Sequence, residues 1–475
     1  MSWTKTLRGV AAAGVAGAGG CAVGPDYNPH PARAPAAWSS PMANGLTDVA
    51  REPSSWWNSF NDAELDSLIK RAAGSNPNLQ AAEARLRQAR AVREMSAANF
   101  APTLDATGSY AREKISRNQP LFGALPLPPN FPFEYSVYDA GFDASWEIDL
   151  FGAKRRALEA TTAEWEGAIE ARNDAMVSLL AEVARNYVEL RGGQLRLEIA
   201  RRNLALQEEA LELTRARFQG GVANELDVTR AAALLAGMQA GIPPLDTAVR
   251  SSMYGLAVLL GLEPGALVAE LARSKPVPAA PPEVPIGLPS DLLRRRPDVR
   301  RAERQLAAET ARIGLAKSDW FPKLSLTGDA GMESTSLGKW FEPGSLFWSI
   351  GPTLQWRALD FGRVRAEVKA QTAVQEAALA TYEKTALLAL QEAESAVVAY
   401  AQEQNRHRAL ADEVSEDRRS LDMAGGLYAG GRVDYLDVLD ARRSLNQSED
   451  QLAVSDQAVS LDLVALYKAL GGGWE

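Results

Sequence analysis

The chain has 475 residues, a net charge of −9 and a pI near 5.2, an acidic balance that speaks against a nucleic-acid partner, which favours a basic face. With one cysteine, Cys21, and two histidines, His30 and His407, neither an intrachain disulfide nor a multi-cysteine zinc site can form, and most histidine-based catalysis and metal binding drop out. No run offers the ~18 uninterrupted apolar residues of a transmembrane helix.

The N-terminus, "MSWTKTLRGVAAAGVAGAGGC", sets Lys5 and Arg8 before a small-residue apolar stretch from Gly9 to Gly20. That is the plan of a secretory signal over residues 1–20. Its end, Ala18-Gly19-Gly20-Cys21, resembles a bacterial lipobox, with Ala18 where Leu or Val is usual. Cleavage before Cys21 would leave its thiol and new amine to carry lipid; an ordinary signal peptide with an incidental cysteine is the alternative. Ala22, in place of aspartate, suits sorting to the outer membrane. Residues 21–60, proline-rich from Pro25 to Pro41, read as a lipid-anchored tether. The first helix follows, with Asn61 or Asp62 as N-cap and Leu65, Leu68 and Ile69 on its buried side.

Beyond this point the chain repeats itself. "APTLDATG" from Ala101 and "FPKLSLTG" from Phe321 match at an offset of 220, which also pairs Pro77 with Pro297 and Glu83 with Glu303. Further on the offset is 210, pairing Trp146 with Trp356, Gly152 with Gly362 and "FQGGVANELDVTRA" with "YAGGRVDYLDVLDA". Residues 61–272 form repeat 1 and residues 291–475 repeat 2. A proline-locked connector, residues 273–290, lies between them. The change of offset falls in the Pro-rich loop "NQPLFGALPLPPNFPF".

Each repeat carries a β-hairpin, at residues 103–150 and 323–357. In "GFDASWEIDLFG", Phe142, Ala144, Trp146, Ile148 and Leu150 alternate with Asp143, Ser145, Glu147 and Asp149. The runs through Asp105, Asp329 and Trp348 alternate likewise. Period two over about ten residues is the signal of a transmembrane β-barrel strand, although a half-buried soluble strand looks similar. In the barrel reading Asp105, Asp143, Glu147, Asp149 and Asp329 face a water-filled lumen. Four strands cannot close in lipid without leaving an unpaired edge, so three chains with twelve strands are expected.

The remainder predicts unusually long helices, the first interrupted only by Gly167 and the Gly192-Gly193 pair. Met176, Leu180, Val183, Tyr187 and Leu190 form one seam, and Leu379, Tyr382, Ala386, Ala389, Ala393, Ala396 and Tyr400 another, at coiled-coil spacing. Each long helix ends at a Gly-Gly turn, Gly220-Gly221 and Gly430-Gly431, followed by an N-cap at Asn224 or Asp434. Asp437 suits a capping role, whereas Asp440, whose equivalent is Arg230, has no such structural reason. The two share a helix face. Repeated around a trimer they would form an acidic ring at a gate.

"CAVGPDY" at Cys21, "WWNSFNDAELDSLI" at Trp56, "SWEIDLFGAKRRA" at Ser145, "GLPSDLLRRRPDVRRAE" at Gly287, "YAGGRVDYLDVLDARRSL" at Tyr428 and "LYKALGGGW" at Leu466 together resemble the TolC-like outer-membrane efflux factors. They resemble especially the lipoprotein branch that serves multidrug pumps. The resemblance implies a mainly α fold with a membrane β-barrel portion: a homotrimer with a twelve-stranded barrel in the outer membrane and a long helical barrel in the periplasm. It implies a periplasmic adaptor at the glycine-rich tips, an inner-membrane RND transporter beyond it, and no cofactor. It also places the aperture at Asp437, Asp440 and Tyr428; where some members carry a gate arginine, this chain has Val433, with Arg432 beside it. The outlet of a type I protein secretion system and a structural envelope coiled coil are the competing readings. An enzyme built on Glu392 and Glu394 would need convergent carboxylates, but residues two apart on a helix point different ways.

Overall fold

A computed structural model describes residues 22–49, 55–117 and 131–474; Cys21, the signal segment and most of the Pro-rich loop lie outside them. The described residues form two compact units. One takes residues 22–29, 88–166 and 304–380, the other residues 30–87, 167–303 and 381–474. Each unit thus draws on both repeats.

The elements repeat with the sequence. Strand β1 is Leu46–Thr47; helices α1 and α2 are Ala63–Ser75 and Pro77–Ala98; strands β2 and β3 are Thr103–Lys114 and Glu134–Ile148. Helices α3 and α4 follow at Ala153–Gln219 and Glu225–Leu259, with a turn of helix, α5, at Val268–Leu271. The second half gives β4 Val284–Pro285, α6 Pro289–Arg295, α7 Pro297–Ser318, β5 Lys323–Ser334, β6 Leu346–Gln355, α8 Arg363–Ala429 and α9 Tyr435–Ala469. Helices α3 and α8 both have 67 residues, α4 and α9 both have 35, and α2 and α7 both have 22. At 1.5 Å per residue a 67-residue helix is about 100 Å long. Helix α3 runs unbroken through Gly167 and Gly192-Gly193. None of the described helices is long and apolar enough to cross a membrane.

In the first unit the strands form one antiparallel sheet in the order β2-β3-β5-β6. The two hairpins share a register: Thr103 opposite Ser145 and Leu104 opposite Ala144 become Lys323 opposite Gln355 and Leu324 opposite Leu354. Trp146 Nε1–H donates to the Phe100 carbonyl at 2.9 Å, and its equivalent Trp356 donates to the Trp320 carbonyl at 3.1 Å. Asp149, expected inside the strand, falls beyond its end. Its carboxylate accepts the backbone N–H groups of Lys154 (3.2 Å) and Arg155 (3.0 Å), so it satisfies orphan donors in the first turn of α3.

In the second unit Asp62 is the N-cap of α1, accepting from Glu64 and Leu65 N–H at 2.9 and 3.1 Å. Leu65, Leu68 and Ile69 are buried beneath it. Within this unit the tether is held at two places: Trp38 Nε1–H donates to the Gly287 carbonyl at 2.8 Å, and β1 pairs in parallel with β4 of the connector. The α3 seam is buried at Leu180, Val183, Tyr187 and Leu190. In α8 the seam runs Tyr382, Ala386, Ala389, Ala393, Val397, Tyr400. Val397 replaces the expected Ala396 because a straight helix drifts from a strict 3.5-residue repeat.

Candidate functional site

Two features of the fold carry chemistry that a packed core does not require: the faces of the sheet and the turns that close the long helices.

Cross-strand partners share a face of a sheet, so the register sorts every side chain. On one face Leu104, Ala106, Gly108 and Tyr110 lie opposite Ala144, Phe142, Ala140 and Tyr138. Trp146, Phe142 and Ala140 lie opposite Leu326, Ala330 and Met332; Leu324, Ala330 and Met332 lie opposite Leu354, Trp348 and Leu346. Every residue in these pairs is aliphatic, aromatic, methionine or glycine; the face turns polar at one end of the sheet, where Arg112 lies opposite Ser136, Lys114 opposite Glu134 and Ser334 opposite Tyr138. The chain leaves the apolar part open: Leu104 is 69% exposed, Ile350 68% and Trp348 72%. A soluble monomer rarely exposes so continuous an apolar surface.

The other face is polar. Asp105 lies opposite Asp143, Asp143 opposite Asp329, and Asp329 opposite Ser349, one continuous row across four strands. Thr107 Oγ1–H donates to Asp143 Oδ2 at 3.1 Å, and Ser349 Oγ–H donates to Asp329. Glu147 lies opposite Ser325 on the same face. The sequence brings these carboxylates to one side; only the register puts three of them side by side. Among the described residues no cluster of histidine, cysteine or carboxylate groups could hold a metal ion.

At the helical turns α3 and α8 end alike. Gly221 and Gly431 have φ of +71° and +65°, the left-handed conformation that glycine adopts at a helix end. Val222 N–H reaches back to the Arg217 carbonyl, and Arg432 N–H to the Leu427 carbonyl, each at 2.9 Å. Gly220 and Gly430 precede these residues and, like them, are exposed. Asn224 and Asp227 then close a capping box at 2.9 and 3.4 Å. In the second repeat Asp434 N–H donates to Asp437 Oδ2 at 3.2 Å.

Asp437 is therefore engaged at the helix start, while Asp440, one turn on, is exposed and has no hydrogen-bond or ion-pair partner among the described residues. Tyr428 stands between two neighbours that its sequence position does not announce. Its ring lies 5.2 Å from that of Tyr435, and the Arg217 guanidinium lies 4.5 Å above it, a cation–π contact between the two repeats. A basic residue in the last turn of α3 is the only sequence signal for Arg217, and it is a weak one. Glu392 and Glu394 go to separate partners, Arg296 at 2.7 Å and the Ser39 N–H at 2.7 Å.

The sequence matches the outer membrane efflux protein family twice, over residues 68–262 and 288–472. Nodulation protein T of Rhizobium leguminosarum bv. trifolii is 32% identical over 456 residues, covering 96% of this chain and 95% of that protein. TtgC of Pseudomonas putida, described as a probable efflux pump outer membrane protein, is 31% identical over 460 residues, covering 96% and 93%. The solved structure of the outer-membrane channel OprN superposes with a TM-score of 0.87 at 37% identity, covering 96% of this chain and all of that one. The chain belongs to the outer membrane efflux protein family. It has the TolC-like fold and is an outer-membrane efflux duct.

Proposed function

We propose that three copies of the chain assemble into one channel, their sheets joining into a twelve-stranded barrel whose apolar face meets lipid. The observation that carries this is the open four-stranded sheet with an apolar band along one face: in hydrocarbon, unpaired strand edges are untenable, and closure alone removes them. Asp105, Asp143, Glu147 and Asp329 then line the lumen. The long helices form a periplasmic barrel whose tips, at Gly220-Gly221 and Gly430-Gly431, receive a periplasmic adaptor bound to an inner-membrane RND transporter. Asp437 and Asp440 ring the aperture, with Tyr428 bracing it. Cys21 carries a lipid anchor in the outer membrane. Small molecules, drugs among them, pass through without chemistry: the duct supplies a wet, acidic path and catalyses nothing.

Native mass spectrometry of the detergent-extracted protein tests this assembly. A trimer with diacylglycerol and acyl mass on each chain is expected. A monomer in every mild detergent would overturn the barrel, and an unmodified Cys21 would overturn the anchor alone.

A further inference from the structure

The two hairpins share one register, so the way repeat 1 meets repeat 2 inside the chain suggests how repeat 2 meets the next copy. Inside the chain the meeting is made by β3 against β5: Trp146 opposite Leu326, Ala144 opposite Gly328, Asp143 opposite Asp329, Glu147 opposite Ser325. The edges left over are β6, equivalent to β3, and β2, equivalent to β5. Resting on the trimeric assembly above, we propose that β6, continued two residues to Arg357, pairs antiparallel with β2 of the partner subunit in this same register. Trp356 then lies opposite Ala106 of the partner subunit, Leu354 opposite Gly108 of the partner subunit and Thr353 opposite Ser109 of the partner subunit. Arg357 meets Asp105 of the partner subunit.

Four observations that played no part in setting this register agree with it. Each pair falls face to face, apolar with apolar and polar with polar. Arg357 and Asp105 carry opposite charges, and neither makes a salt bridge among the described residues of its own chain, although Arg357 lies near enough to Asp360 to act on its charge. A slip of two residues would preserve the faces but set Arg357 against Thr103 or Thr107 of the partner subunit. In the adjoining helices, Arg312 of α7 pairs with Glu164 of α3 within the chain. The equivalent positions between copies are Val92 and Val374, both apolar and 41% and 47% exposed in the single chain. Phe151 stacks on Phe321 at 4.6 Å. Its equivalent Phe361 is 93% exposed and held at a φ of +52°, and the small residue Ala101 stands at the place equivalent to Phe321. The in-chain ion pair and ring stack are replaced by valine on valine and phenylalanine on alanine, contacts that stay apolar until the copies meet.

Disulfide trapping tests the register, because a bridge forms only between side chains whose Cβ atoms lie about 3.5–4.5 Å apart. Ser109→Cys/Thr353→Cys would be oxidised with copper–phenanthroline in membranes and run on non-reducing gels beside Thr107→Cys/Thr353→Cys and Ala111→Cys/Thr353→Cys. The expected result is a covalent trimer from the first pair in several-fold higher yield than from either slipped pair, and none from single variants. A slipped pair that traps as well or better overturns the register. So does the absence of any covalent trimer from a preparation whose native mass is that of a trimer. A preparation that is not trimeric overturns the assembly itself. Arg357→Asp should weaken the trimer against heat in detergent, and Arg357→Asp/Asp105→Arg should restore it; failure of the double variant to recover would remove the ion pair from the interface.

Discussion

Arg191 has no exposed surface, and a guanidinium without water must find its partners in the fold. It donates to Glu64, to the Arg273 carbonyl at 2.8 Å and to Gln194 Oε1 at 2.6 Å, and its plane lies 4.8 Å from the Tyr187 ring. Lys275 Nζ joins Glu64 at 2.6 Å, so one cluster fastens α1, α3 and the connector. Glu64→Ala leaves a buried cation unpaired, a change that costs about 3–5 kcal/mol. A marked fall in the thermal unfolding midpoint is expected, larger than that of Arg191→Met. Asp462 responds to pH instead. Burial, with the charge of Glu403 adding to it, pushes its carboxyl from 3.8 up to about 6. The native state keeps this proton where the unfolded chain has released it, so stability is fullest below pH ~4 and declines as pH rises through about 6. Asp462→Asn should remove that decline. Its midpoint should match the wild type near pH 4 and exceed it at pH 7.5, by the equivalent of ~1–2 kcal/mol once solvent screening is allowed for. A pH-independent difference would remove Asp462 as the cause.

Among the elements, the strap after Cys21 gains its place from small residues and one arginine. Gly24 has a φ of +99°, and a Cβ there would lie 2.3 Å from the Gly314 Cα. Arg156 donates to the Val23 carbonyl at 3.1 Å and to Asp26 at 2.7 Å, and Tyr27 packs on Ala163, Ala307 and Ala308. Gly24→Ala should free the strap, seen as faster limited proteolysis between residues 22 and 29 with the remaining fragment intact; unchanged cleavage would mean the contact is dispensable. This dependence explains why "GPDY" reads as a motif. The hairpins, long helices and glycine tips were legible because periods of two and 3.6 and left-handed glycines are local signals. Asp149 was misplaced because alternation does not mark where a strand stops: its side chain turns to the backbone of α3. Arg217 on Tyr428, Arg191 on Glu64 and the row Asp105-Asp143-Asp329 depend on contacts between distant segments, on which periodicity is silent.

For the whole molecule, duplication is what lets a sheet of only four strands per chain serve the proposed barrel. Two equivalent hairpins with one register supply an edge at each side of the sheet, apolar on one face and acidic on the other. In the proposed trimer, a lumen lined by Asp105, Asp143 and Asp329 from each copy should favour cations. The most direct measurement is single-channel current from the Asp437→Asn/Asp440→Asn trimer in a planar bilayer under a KCl gradient. A steady ohmic current, larger than that of the wild type and with a cation-selective reversal potential, is the expected result. Assembled trimers that pass no current, or a current that selects anions, would contradict an acidic duct through the membrane.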